Sequence, residues 1–195
     1  MNRLTLSSNN QLLIGMVLVL LIIATRGHHF ATLQNLPGAT WACFFLAGVY
    51  LRPVWVLPGL FALAGLLDYA AITWGGVNAF CVTPAYLLLL PAYGALWTAG
   101  RWYVGRHRFA WRTLLPLIGA ALVGATVCEL FSSGGFYFFS GRFAEPTLTE
   151  FGVRLLRYFP AYLQSLAFYL GVAAVVHLLF GLVRGAPSSH HLDAG

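Results

Sequence analysis

GGVNAFCVTPAY, residues 75–86, is an uncharged connector that carries one thiol, Cys81, between apolar runs at 54–72 and 82–100. A bilayer core about 30 Å thick needs about 20 apolar residues per helix, and both runs meet that length with Asp68 as their single charge. The connector therefore joins two membrane helices. The same ruler finds about six spans in the chain, at 11–25, 39–51, 54–72, 82–100, 114–131 and 151–182. The second is short and borrows from its flanks. The last is long, and its first turns, with Arg154 and Arg157, belong in the interface. The expected fold is all-α: a polytopic bundle of six transmembrane helices forming one domain over 1–195. A cytoplasmic segment at 1–10 and a polar cytoplasmic tail at 185–195 flank it.

Composition points the same way. Of the 195 residues, 59% are hydrophobic and 8% charged, against about 25% charged in soluble domains. Every basic side chain is arginine, and the net charge of +6 sits in connectors rather than on a basic stripe interleaved with aromatics. A lipid bilayer, not a nucleic acid, is the expected surroundings. The run at 11–25 has the look of a signal-peptide core, but Arg26, His28 and His29 follow where a small-residue cleavage site would stand. It is expected to stay as the first helix. Cys43 and Cys128 lie inside apolar runs, so neither a disulfide framework nor a zinc site of cysteine pairs is available. No Walker motif, HExxH, GxSxG or CxxC is present. The chain thus carries no ATP site, and a hydrolase is not expected.

The arginines also orient the bundle. With the N-terminus inside, Arg3, Arg52, Arg101, Arg106, Arg108, Arg112 and Arg184 are cytoplasmic, against Arg26, Arg142 and the interfacial Arg154 and Arg157 outside. That excess fits the positive-inside rule and puts both termini in the cytoplasm. It also gathers His28, His29, Asp68, Cys81, Tyr86, Glu129 and Arg154 at the outer helix ends. Acids in membrane segments are costly alone, so they are paired or line a cavity.

Each of these groups has a structural and a functional reading. Cys81 has no basic neighbour within a few positions, so it either packs as a small hydrophobe or serves as a thiolate under a metal. His28 and His29 either cap the first helix or supply an imidazole to a site. Asp68 and Glu129 either pair with an arginine such as Arg154 or accept hydrogen bonds from a polar ligand. His177, inside the last span, reads as an interhelical hydrogen bond. The connector at 132–150 joins a glycine hinge to aromatics, as in a lid or an interfacial segment.

Size, about six spans, an N-in orientation, a long outer connector before the last helix and the loop NAFCVTPAY together resemble the substrate-binding S-components of energy-coupling factor transporters. More narrowly, the chain resembles the BtuM group, the solitary S-components for vitamin B12. The resemblance covers most of the chain from first to sixth span. It implies a cobalamin or related corrinoid held at the outer end of the bundle of a monomeric protein in a prokaryotic inner membrane. Cys81 would be the axial cobalt ligand, with the possibility of assisting removal of cyanide from the opposite face. His29, Asp68, Tyr86 and Arg154 would be wall residues, with His28, Asn78 and Phe80 beside them. Many S-components dock on an energising module through an AxxxA motif in the first helix. Here that helix reads LLIGMVLVLLIIA, with Gly15 and no alanine pair, so docking on such a module would use another surface.

Coordination chemistry suits that expectation. A corrin fills four equatorial positions of cobalt, so one thiol is enough, whereas a bare metal ion wants three or four protein ligands. Two other classes stay open: an intramembrane haem or thiol oxidoreductase, and an envelope scaffold with no small ligand.

Overall fold

The computed structural model describes residues 6–26, 36–106 and 113–185, apart from the side chains of Cys81 and of 180–185. Among the described residues the chain is helical and has no strand. Seven α-helices follow in order: α1 Ser8–Arg26, α2 Thr40–Tyr50, α3 Val56–Trp74, α4 Leu89–Val104, α5 Leu114–Glu129, α6 Gly135–Phe139 and α7 Leu148–Gly185. A π-turn, Leu130–Gly134, joins α5 to α6 without a break. Among the described residues four helical stretches are long and apolar enough to cross a membrane: Ser8–Arg26, Val56–Trp74, Leu114–Phe139 and Leu148–Leu179.

Two expected boundaries are corrected, and the second run does not borrow from its flanks. The second run forms a helix of 11 residues, about 16 Å of rise, which is roughly half a bilayer core. It is short because it lies inside the bundle: Trp41, Cys43, Phe44, Phe45, Ala47 and Val49 are all buried. The fourth run does not enter its α-helix at 82. Pro84 opens a 3-10 stretch, Pro84–Leu88, and the α-helix begins only at Leu89. The connector at 132–150, read as a lid or an interfacial segment, is largely helix, since Gly134 and Gly135 continue the π-turn into α6 and leave only 140–147 as loop. Both glycines are buried there, and Gly135 lies tight against Leu88. Close packing, not hinge freedom, explains them.

The core is built around α4, which lies between α2 and α5 and contacts both extensively. Phe44 stacks on Tyr93 at 4.4 Å between ring centroids, and Ile22 of α1 and Leu96 of α4 are fully enclosed. Glycines let α2 and α4 approach closely. A Cβ at Gly48 would run into the Trp97 carbonyl, and one at Gly100 into the Phe45 carbonyl. This is the small-residue contact that brings membrane helices together where burial from water supplies no drive. From α7, Leu166, Tyr169 and Leu170 are buried, Tyr162 stacks on Trp41 at 4.9 Å, and the Tyr169 hydroxyl donates to the Pro37 carbonyl at 2.6 Å. The His177 ring lies 6.1 Å from that of Tyr50 at the end of α2.

Thr25 ties the first two helices together. Its hydroxyl donates to the Leu21 carbonyl at 2.7 Å and accepts from the Ala39 N–H at 3.1 Å, at the entrance to α2. Thr25→Val keeps the shape and leaves that buried N–H without an acceptor. The expected cost is about 1–2 kcal/mol, read as a lower thermal midpoint in detergent; an unchanged midpoint would show that the bridge contributes nothing.

The opposite end of the bundle is the arginine end. Arg101 donates to the Arg52 carbonyl and stacks over Trp97, while Arg106 lies over Trp102.

Candidate functional site

Polar groups collect where α1 and α3 end and where α2 and the fourth segment begin. Asp68 sits about 9 Å of helical rise below the end of α3, in an otherwise apolar stretch, so it needs a partner at that depth. Arg26, the last residue of α1, supplies one. Its Nε and Nη2 donate to the two Asp68 oxygens, both at 2.7 Å. This two-pronged geometry is the strong form of a carboxylate contact. Arg26 Nη1 also donates to the Tyr93 hydroxyl at 3.1 Å and reaches the Thr40 hydroxyl at 3.4 Å. The Tyr86 hydroxyl donates to Asp68 Oδ2 at 2.7 Å. The Arg26–Asp68 pair thereby clamps α1, α2, α3 and the fourth segment together.

Arg154, offered above as the kind of arginine that pairs with Asp68, stands in a second cluster. It reaches Glu150 at 4.0 Å and lies over the rings of Phe143 and Tyr137, at 4.7 and 5.4 Å. Tyr137 fastens the start of α7 to α6: its hydroxyl donates to Glu150 at 2.9 Å and accepts from the Thr147 N–H at 3.1 Å. A cleft of about 100 Å³ opens beside it, lined by Glu129, Ser133, Tyr137, Phe143 and Arg154 among others. On the other face of α6 a wider groove of about 340 Å³ is lined by apolar side chains such as Leu88, Phe131 and Phe138.

The connector 75–86 joins both clusters. Gly76 has φ +68°, the left-handed region open to glycine, and turns the chain out of α3. Cys81 closes a single 3-10 turn, Ala79–Cys81; its side chain lies outside the described residues, as do His28 and His29 entirely. Phe80, 45% exposed, meets Phe136 edge-on at 5.7 Å, and Arg142 lies 5.0 Å over its ring. Asn78 is exposed. Tyr86 reaches back to Asp68. Of the expected site residues, then, Asp68 and Tyr86 touch, Phe80 leans toward the Arg154 cluster, and Asp68 and Arg154 do not meet.

Arg26, Thr40 and Tyr93 were not among the expected site residues. The signal was there for Arg26, because an acid inside an apolar helix calls for a cation at the same depth, and α1 ends on one. No group of three or more His, Cys, Asp or Glu side chains able to hold a metal ion occurs among the described residues.

These features define a helical membrane-type protein with two clusters of polar side chains at one end, bridged by a cysteine-bearing connector. No family model and no curated protein matches the chain.

Proposed function

We propose that this protein is a six-span uptake protein that binds a corrinoid at the outer end of its bundle and passes it inward, as the resemblance to BtuM-like S-components implies. The observation that carries the reading is the connector: it brings Cys81 to the end of an apolar bundle where both polar clusters lie. In this proposal α2 and the segment from Pro84 to Val104 are the two spans beyond the four long ones. Both termini and the arginine end face the cytoplasm of a prokaryotic cell, and the protein works as a monomer, with or without an energising module. The cleft of about 100 Å³ is too small even for the drug-sized ligands whose sites run to about 300–1,000 Å³, and the groove of about 340 Å³ only reaches the low end of that range, so a corrin, which is larger than such ligands, fits neither. The ring therefore lies across the end of the bundle, with Phe80 beside it and Tyr86 and Asp68 beneath.

Cys81 would give up its proton, which the departing cyanide takes up as hydrogen cyanide, and its thiolate would take the axial position opposite cyanide as the base or water held there leaves with its electron pair. Electron density pushed onto the metal weakens the bond to cyanide on the opposite face, and cyanide leaves carrying its electron pair. No oxidant or reductant is needed. The test is the visible spectrum of cyanocobalamin mixed with purified wild type and with Cys81→Ser. A shifted spectrum is expected with wild type alone; identical spectra from both would remove the axial-ligand role.

A further inference from the structure

We propose that the cleft between Glu129 and Arg154 is a subsite for a primary carboxamide arm of the ligand, with Glu129 Oε2 accepting its N–H. This rests on the corrinoid reading, since corrins carry such arms on their rim. Glu129 ends α5 where the helix passes into the π-turn, and π-turns inside α-helices recur at functional sites. The residue is 1% exposed. Among the described residues its Oε2 has no hydrogen-bond partner. A buried acceptor without a donor is costly, and folded proteins seldom keep one without a role.

What faces that oxygen decides the kind of occupant. Arg154 lines the same cleft from α7, and its ion-pair contact among the described residues is with Glu150, at 4.0 Å. Glu129 and Arg154 thus line one cleft together with the rings of Phe136, Tyr137 and Phe143. A carboxylate group would suit Arg154 but bring negative charge to Glu129. An ammonium group would suit Glu129 but face Arg154. A carboxamide suits both, its oxygen accepting from Arg154 and its N–H donating to Glu129. The cleft of about 100 Å³ has room for roughly three waters at about 30 Å³ each, which matches an arm and not a ring.

The test is calorimetric titration of the detergent-purified protein with cyanocobalamin and with its separate monocarboxylic acids, each having one amide arm hydrolysed. One monoacid is expected to bind wild type about tenfold or more weakly than cyanocobalamin, the usual loss when a charged partner loses its donor. Glu129→Gln, which offers an N–H in place of the carboxylate, is expected to recover that same monoacid selectively. If every monoacid binds wild type as cyanocobalamin does, the subsite is overturned and the corrinoid reading stands; that comparison needs no variant to fold. Glu129→Gln shifting all ligands equally would also overturn it. Wild type that binds no corrinoid would overturn the functional reading and the subsite together.

Discussion

Arg26→Leu is expected to destabilise the protein by about 3 kcal/mol, because it strands the Asp68 carboxylate at the end of the bundle with Tyr86 alone. Removing one member of a buried ion pair costs about 3–5 kcal/mol. The Asp68 side chain keeps 30% of its exposure and Arg26 13%, which places this pair at the low end of that range. The same substitution frees the Tyr93 hydroxyl, held by Arg26 at 3.1 Å, so α1 loses its grip on α3 and α4 at once. The double variant Arg26→Leu, Asp68→Leu should be less destabilised than the sum of the two single ones, since neither charge is then left alone. The measurement is a double-mutant cycle on thermal midpoints in detergent. Strictly additive effects would show that the pair does not form. The cycle also bears on the functional reading. An Asp68 that works only as a clamp loses ligand binding in Asp68→Asn no more than Arg26→Leu does at an equal drop in midpoint, whereas an Asp68 that also touches ligand loses more.

How much of this was legible in the residues depends on what had to be compared. Apolar runs are counted along one segment, so the long runs at 54–72 and 114–131 and the last span appear as helices, with ends moved by a few residues. Depth is a property of two segments together. Asp68 was recognisable as an acid in need of a partner, but Arg26 and Arg154 both lay at outer helix ends, and choosing between them requires knowing that α1 packs beside α3. The short second run has apolar residues on every face, a pattern shared by lipid-facing and fully enclosed helices; only packing distinguishes them. Gly134 and Gly135 read as a hinge because glycine weakens an isolated helix. In the bundle the absence of their side chains lets α6 lie against Leu88 and Phe151, and helix persists. Glu129 stood out as a buried acid, yet the vacancy at its Oε2 is a fact about neighbours on α7 and the π-turn.

Gly100→Leu is expected to have the largest effect of any single substitution, preventing assembly of the bundle. A Cβ at this position would collide with the Phe45 carbonyl and lie 3.1 Å from the Val49 backbone nitrogen, so the obstruction is main chain and no rotamer relieves it. Gly48 presses on the Trp97 carbonyl from the other side of the same crossing. Relief therefore demands that α2 and α4 separate. That movement would open the stack of Phe44 on Tyr93 and carry Tyr93 away from Arg26, dismantling core and clamp in one step. Overpacking in an ordinary core costs about 1–3 kcal/mol because side chains give way; here the backbone must give way, and the cost should exceed that range. Gly100→Ala already adds the offending Cβ and should be clearly destabilised. Gly94→Ala, on the same helix with open space beside it, should be neutral or slightly stabilising, since alanine favours helix over glycine by about 1 kcal/mol. Size-exclusion profiles and thermal midpoints of the three variants in detergent decide it. Gly100→Leu eluting and melting like wild type would mean that α2 and α4 do not meet at these glycines.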